Sequence, residues 1–248
     1  MSNSSLVNYT KLSPNKTSPR NHKIDTISIH CAVGQFTAKE LLNLSHFVNY
    51  DSKKGSSCNY AIGKDGSIGM GVEEKDRSWC TSSRSNDHRA ITIEVASDKK
   101  SPYKVTDKAY EALIDLLVDI CKRNDIKKLK WKADKSLIGQ VDKQNMTVHR
   151  WFANKDCPGD YLYERHGAIA KEVNARLNST FKEYRAEVDI PDLNIRKGPG
   201  TNYDKTGKYT GKGVFTIVEE SEGRGSTKGW GKLKSGIGWI SLDYAKKI

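Results

Sequence analysis

Short runs of alternating apolar and polar residues mark the first half of the chain. Asp25-Thr-Ile-Ser-Ile-His30 puts Ile27, Ile29 and Cys31 on one face of a strand and Thr26, Ser28 and His30 on the other. Ile91 to Val95 repeats the alternation, with Thr92 and Glu94 opposite Ile91, Ile93 and Val95. His30 and Glu94 therefore both leave an apolar face. Asn59 to Ile62 and Ser67 to Val72 flank Lys64-Asp65-Gly66, which predicts a β-hairpin. Thr37-Ala-Lys-Glu40 has the spacing of a capping box and precedes Leu41, Leu42, Leu44 and Phe47, predicting a helix from about Ala38 to Val48. A helical period also runs through Tyr110, Leu113, Leu117, Ile120 and Cys121 within Asp107 to Arg123. Another runs through Leu162, His166, Ile169, Val173 and Leu177, with Asp160 as the expected cap.

Strands interspersed with helices predict one mixed α/β (α+β) domain over residues 1–178, a central sheet flanked by helices. Residues 179–187 are polar and aperiodic and read as a linker. Residues 188–248 carry short β-like runs punctuated by glycine, which predicts a small all-β barrel. Phe215, Trp230, Trp239 and Tyr244 are expected to supply much of its core.

Composition narrows the classes. The mean hydropathy is −0.69, and the most apolar stretch, Leu113 to Cys121, is interrupted by Asp115 and Asp119. That is far from the ~18 apolar residues of a spanning helix, so no membrane insertion is expected. Met1 to Pro19 is rich in Ser, Asn, Thr and Lys, without the apolar centre of an export signal. The net charge of +12 favours an anionic partner: nucleic acid, a membrane surface or an acidic wall polymer. A merely solvated basic surface would look the same. No nucleic-acid-binding module is recognisable, so no nucleic-acid partner is expected. Five cysteines without CxxC spacing argue for free thiols.

The densest chemistry lies in Thr147-Val-His149-Arg-Trp-Phe-Ala-Asn-Lys155-Asp-Cys157-Pro-Gly-Asp160. A catalytic zinc site uses three protein ligands and one open position, and His30, His149 and Cys157 would supply two imidazoles and a thiolate. Two separated histidines and a cysteine also occur in many proteins that hold no metal. His22, His46, His88 and His166 read as structural or solvent-facing.

These motifs change the weight of that reading. Ile29-His30, the hairpin Asn59-Tyr60-Ala-Ile-Gly-Lys-Asp-Gly66, and His149 followed by Cys157-Pro-Gly-Asp160 resemble the zinc-dependent N-acetylmuramoyl-L-alanine amidase family, whose fold phage amidases share with peptidoglycan recognition proteins. The likeness spans about His22 to Leu177. It implies Zn2+ on His30, His149 and Cys157, and catalytic roles for Tyr60 and Lys155. Glu94, in Thr92-Ile-Glu94, matches a family glutamate that either takes a proton from water or orients a ligand. Asn86-Asp87 also fits. Trp79-Cys80-Thr81 departs from the pattern, because many relatives carry Trp-His there.

Leu193-Asn-Ile-Arg-Lys-Gly-Pro-Gly-Thr-Asn-Tyr203, with Gly229-Trp-Gly-Lys-Leu and Gly238-Trp-Ile, resembles a bacterial SH3-type wall-binding domain. Together the two resemblances imply a phage endolysin or autolysin that is made in the cytoplasm and acts on peptidoglycan of the Gram-positive wall after release. The alternative is a binding protein on the same fold that recognises peptidoglycan without cutting it. Such relatives commonly lack the cysteine ligand, so Cys157 argues for the enzyme.

Overall fold

The computed structural model describes residues 2–178 and 181–248. The chain divides into two compact units between residues 178 and 179.

The first unit carries eight strands: β1 (Tyr9–Thr10), β2 (Lys16–Thr17), β3 (Thr26–Cys31), β4 (Tyr60–Ile62), β5 (Ile68–Met70), β6 (Arg77–Ser78), β7 (Ala90–Val95) and β8 (Met146–Thr147). Its helices are α1 (Ala38–Leu42), α2 (Ser45–Val48), α3 (Arg84–Arg89), α4 (Asp107–Arg123) and α5 (Gly159–Asn178). Six strands form one mixed sheet in the order β1-β5-β4-β7-β3-β8, while β2 and β6 pair separately. Only β4 and β5, the expected hairpin, run antiparallel in the large sheet. Gly66 takes a positive φ of 82° in their turn, a conformation that favours glycine.

One face of the sheet is apolar. Ile27, Ile29, Tyr60, Ile62, Ile91, Ile93 and Val95 pack there with Leu113, Leu117, Leu162 and Ile169 of α4 and α5. Burying a Leu or Ile side chain stabilises the fold by about 1.5–3 kcal/mol. On the other face Leu41, Leu42 and Phe47 of α1 and α2 cover Cys58 and Ala61. All six residues of β3 are buried, including the polar Thr26, Ser28 and His30. Strands paired in parallel on both edges are covered on both faces, so a residue that leaves the apolar side still does not reach solvent.

The helix expected from Ala38 to Val48 is broken. The Thr37–Glu40 capping box forms as predicted. At the other end the Asn43 side chain donates to the Lys39 carbonyl at 2.7 Å, and its own N–H turns back to Glu40. Leu44 is extended before α2 begins. Side-chain competition for a helical carbonyl is a recognised helix breaker. Asp160 lies in the first turn of α5 and not before it, where its charge complements the helix dipole.

The second unit is all-β: β9 (Tyr184–Val188), β10 (Asn194–Arg196), β11 (Lys205–Tyr209), β12 (Gly213–Ser221), β13 (Trp230–Leu233), β14 (Trp239–Ser241) and β15 (Ala245–Lys247). They pair antiparallel in the order β11-β10-β14-β13-β12-β9-β15, an arrangement consistent with an SH3-like domain. Two expectations need correction. Residues 184–187, read as the end of a linker, form most of β9, with Ala186 and Val188 turned inward and Arg185 and Glu187 outward. The main core is aliphatic, built on Val188, Leu193, Ile195, Ile217, Leu233 and Ile240. Trp230 and Trp239 are buried, whereas Tyr244 is exposed.

Candidate metal centre

Strand pairing assembles the centre. His30 of β3 lies opposite Glu94 of β7, so both side chains leave the same face, away from α4 and α5. Ser28 lies opposite Thr147 of β8, and the chain turns directly from β8 into a 3-10 segment, His149–Trp151. This sets the His30 and His149 rings 5.2 Å apart. The following loop is closed by the Arg150 N–H donating to the Cys157 carbonyl at 3.0 Å, and Cys157 Sγ comes to 3.3 Å from His30 Nδ1. The donor atoms of His30, His149 and Cys157 all lie within 4.8 Å of one another. Gly159, at φ 77°, lets the chain leave this loop into α5, because a Cβ there would stand 2.6 Å from the side chain of Tyr103.

The surroundings orient the donors. His30 Nε2 is 3.2 Å from Ser28 Oγ, which in turn donates to the Thr147 carbonyl at 3.3 Å. That chain assigns the proton to Nε2 and leaves the Nδ1 lone pair facing Cys157. Ser82 Oγ meets His149 Nε2 at 3.0 Å from a left-handed backbone position, φ 62°. Asp87 fixes the segment before it, accepting from the Cys80 and Thr81 N–H groups, each at 3.1 Å, and from Thr81 Oγ1 at 2.6 Å. Asn86 Oδ1 accepts from Thr147 Oγ1 at 3.1 Å and ties α3 to β8. Burial pushes the Asp87 carboxyl up to about 6.

The pocket favours neutral groups. Burial holds His30 well below the ordinary imidazole range, and burial with the nearby Lys155 charge lowers His149. Burial, then the neighbouring Cys31 and Glu94, pushes the Cys157 thiol well up. Burial likewise raises the Glu94 carboxyl to about 7. Glu94 Oε1 is 3.8 Å from His30 Nδ1 and accepts from Cys80 Sγ at 3.8 Å. Its Oε2 is buried with no hydrogen-bond partner. Two imidazoles, a thiol and an unpaired carboxyl oxygen in one cluster fit a divalent zinc ion, whose binding would displace the thiol proton. His30, Cys80 and Glu94 form a second close group, which shares His30 and continues the same site.

Of the residues singled out from sequence, His30, His149, Cys157 and Glu94 come together. Lys155 stands exposed on the loop between His149 and Cys157, and its side chain has no hydrogen bond or ion pair among the described residues. Tyr60 does not join them. It pairs with Ile93, one residue before Glu94, and therefore points to the opposite face of the sheet. There it is fully buried, with its hydroxyl donating to Glu74 Oε1 at 2.6 Å and accepting from the Ser4 N–H at 3.0 Å. Glu74 in turn pairs with Arg123 at 2.7 Å. His166 is buried too, its Nδ1 donating to the Leu162 carbonyl at 2.7 Å. Ser28 and Ser82 escaped the sequence reading as positioning residues, whereas Asn86-Asp87 was picked out by its resemblance to the family pattern. Period two put Ser28 on the face of His30, which was the one available signal.

The profile of the N-acetylmuramoyl-L-alanine amidase family, Amidase_2, matches residues 20–160, more than half of the chain. The chain belongs to that family. The matched stretch holds every residue of the centre, from His30 to Cys157. A putative N-acetylmuramoyl-L-alanine amidase of Bacillus subtilis (strain 168), YrvJ, is 31% identical over 78 residues, which cover 31% of this chain and 14% of that relative's length. Among solved structures, a selenomethionine derivative of AmpD is 17% identical with a TM-score of 0.49, covering 67% of this chain and 96% of that one. PlyL is 18% identical with a TM-score of 0.46, covering 66% and 95%.

Proposed function

We propose that this family member is a zinc-dependent peptidoglycan amidase, which hydrolyses the bond between the lactyl group of N-acetylmuramic acid and L-alanine of the stem peptide. The observation that carries the reading is the convergence of His30, His149 and Cys157 within 4.8 Å beside the half-buried Glu94 carboxyl, whose Oε2 is buried and unpaired. His30, His149 and Cys157 would hold the ion, with Ser28 and Ser82 fixing the imidazoles. When bound, zinc supplies a Lewis acid that polarises an amide carbonyl and acidifies water.

The chain's own residues do the rest. Glu94 Oε2 takes a proton from the attacking water and returns one to the departing alanine nitrogen, a role suited to a carboxyl raised to about 7. The Lys155 ammonium at the rim offsets negative charge that develops on the carbonyl oxygen. Tyr60 serves the fold. Residues 181–248 act as an SH3-type module that binds the Gram-positive wall and raises the local concentration of enzyme at its substrate. The cellular role is wall lysis, as an endolysin or autolysin acting after release from the cytoplasm.

Digestion of purified peptidoglycan tests the bond. New amino termini identified as alanine, without a parallel rise in reducing sugar ends, are expected. Reducing ends without N-terminal alanine would make the enzyme a glycosidase, and the absence of both on several wall types would leave a recognition protein.

A further inference from the structure

Away from the metal centre, α5 and the segment after α4 enclose a groove of about 910 Å³. Five lysines line it, Lys128, Lys130, Lys132, Lys143 and Lys171, against two aspartates. Asp134 is occupied by the Ser136 N–H and Oγ, and Lys130 Nζ donates to the Asp142 carbonyl. Lys128, Lys132 and Lys171 have no ion pair among the described residues.

The wall of this groove is built, not loose. Asn174 of α5 exchanges two hydrogen bonds with the Leu129 backbone, at 2.7 and 2.8 Å. From the other side Asn145 accepts from the Lys130 N–H at 2.7 Å and donates to the Lys128 carbonyl at 2.9 Å. Gln144 accepts from the Lys132 N–H at 3.0 Å. Leu129 is buried between the exposed Lys128 and the half-buried Lys130. A backbone pinned in this way presents alternate lysines at a repeat of roughly 7 Å, the two-residue step of an extended chain.

We propose that this groove binds a phosphodiester-linked anionic polymer of the bacterial wall, so that the first unit has a wall contact of its own. The proposal rests on the wall-hydrolase reading above for the source of the polymer. The ammonium groups of Lys128, Lys132 and Lys171, without ion pairs among the described residues and set on both walls of the groove, match a chain of single negative charges, and such contacts release counterions on binding. The groove lacks a platform for nucleobases. Its one aromatic residue, Trp131, is stacked on Trp151 at 5.1 Å and hemmed by Tyr163 and His166, whereas single-stranded nucleic acid calls for free aromatic faces.

The test uses the full chain and soluble poly(glycerol phosphate), with binding measured across a salt series. Lys128→Gln/Lys132→Gln/Lys171→Gln is compared with Lys53→Gln/Lys54→Gln/Lys99→Gln, which removes equal charge elsewhere on the first unit. The groove variant is expected to bind about tenfold or more weakly and to lose about 2 from the log–log salt slope, at ~0.7–0.9 per phosphate contact. The control should stay within about twofold, and the matching Lys→Arg triple variant should restore binding, as expected for charge-driven contacts. Equal losses in groove variant and control, no binding by the parent chain at low salt, or tighter binding of an oligonucleotide of equal charge would each overturn the proposal. Cleavage of a small polymer-free muropeptide should be unchanged in the groove variant. Failure of the parent chain to cleave that muropeptide would sink the amidase reading and not the polymer site.

Discussion

The two faces of the central sheet are made by the same strands and do opposite work. Toward α4 and α5, alternate positions of β3, β4 and β7 present Ile27, Ile29, Tyr60, Ile62, Ile91 and Ile93 to an apolar layer. Toward the other side, Ser28, His30 and Glu94 stand one residue away from these, in a pocket of donors and unpaired oxygen. A single backbone step therefore separates residues that hold the fold from those of the candidate site. Tyr60 and Glu94 make the contrast sharpest, because they sit on neighbouring strands one register position apart.

Four experiments probe that division. Cys157→Ser should have the largest effect: zinc and lytic activity are lost together, while the thermal midpoint of the metal-free protein stays near that of the parent. Metal analysis by mass spectrometry beside a turbidity assay measures both, and full zinc retention with normal lysis would remove the thiol from the centre. Glu94→Gln should keep zinc and stability but lower turnover on muropeptide by about 100-fold or more, the scale of a general acid–base group.

Tyr60→Phe should do the reverse. Turnover per folded molecule is unchanged, and stability in urea falls by about 1–2 kcal/mol for a buried hydroxyl bonded to a carboxylate. A drop in turnover with unaltered stability would return Tyr60 to the reaction. The smallest effect concerns pH. Burial holds His166 down at about 4, against about 6.5 for an unfolded imidazole. Its neutral form is the one that fits the fold, so this contribution is complete above pH 6.5 and is lost as pH falls toward 4. The melting midpoint of His166→Gln should decline less over that window than the parent's, and parallel curves would show that His166 does not govern the decline.

How far the sequence could be read follows from what each element depends on. Strands β3 and β7, the hairpin, and α4 were legible because their signals are local: period two, a tight turn, and a helical stripe over Asp107 to Arg123. His30, His149 and Cys157, the candidate metal donors, were legible as a motif. The place of Tyr60 was not, because it depends on which residue of β7 it faces, and no local pattern records that. Strand β9 was missed although Tyr184, Ala186 and Val188 alternate, because the charged Arg185 and Glu187 between them masked the period. The roles of Ser28 and Ser82 arise only when β8 and the loop before α3 are brought against the imidazoles.

The Tyr60 hydroxyl has a practical side. It accepts from Ser4, Asn3 Oδ1 accepts from the Glu74 N–H at 2.9 Å, and Arg123 donates to the Ser2 carbonyl. Residues 2–4 are thus stitched to the hairpin strand, to the segment after it and to the end of α4. Anyone trimming the chain for crystals or expression would lose buried contacts by starting at residue 5 or later. An affinity tag fused there would have to leave through a linker long enough not to pull on that seam.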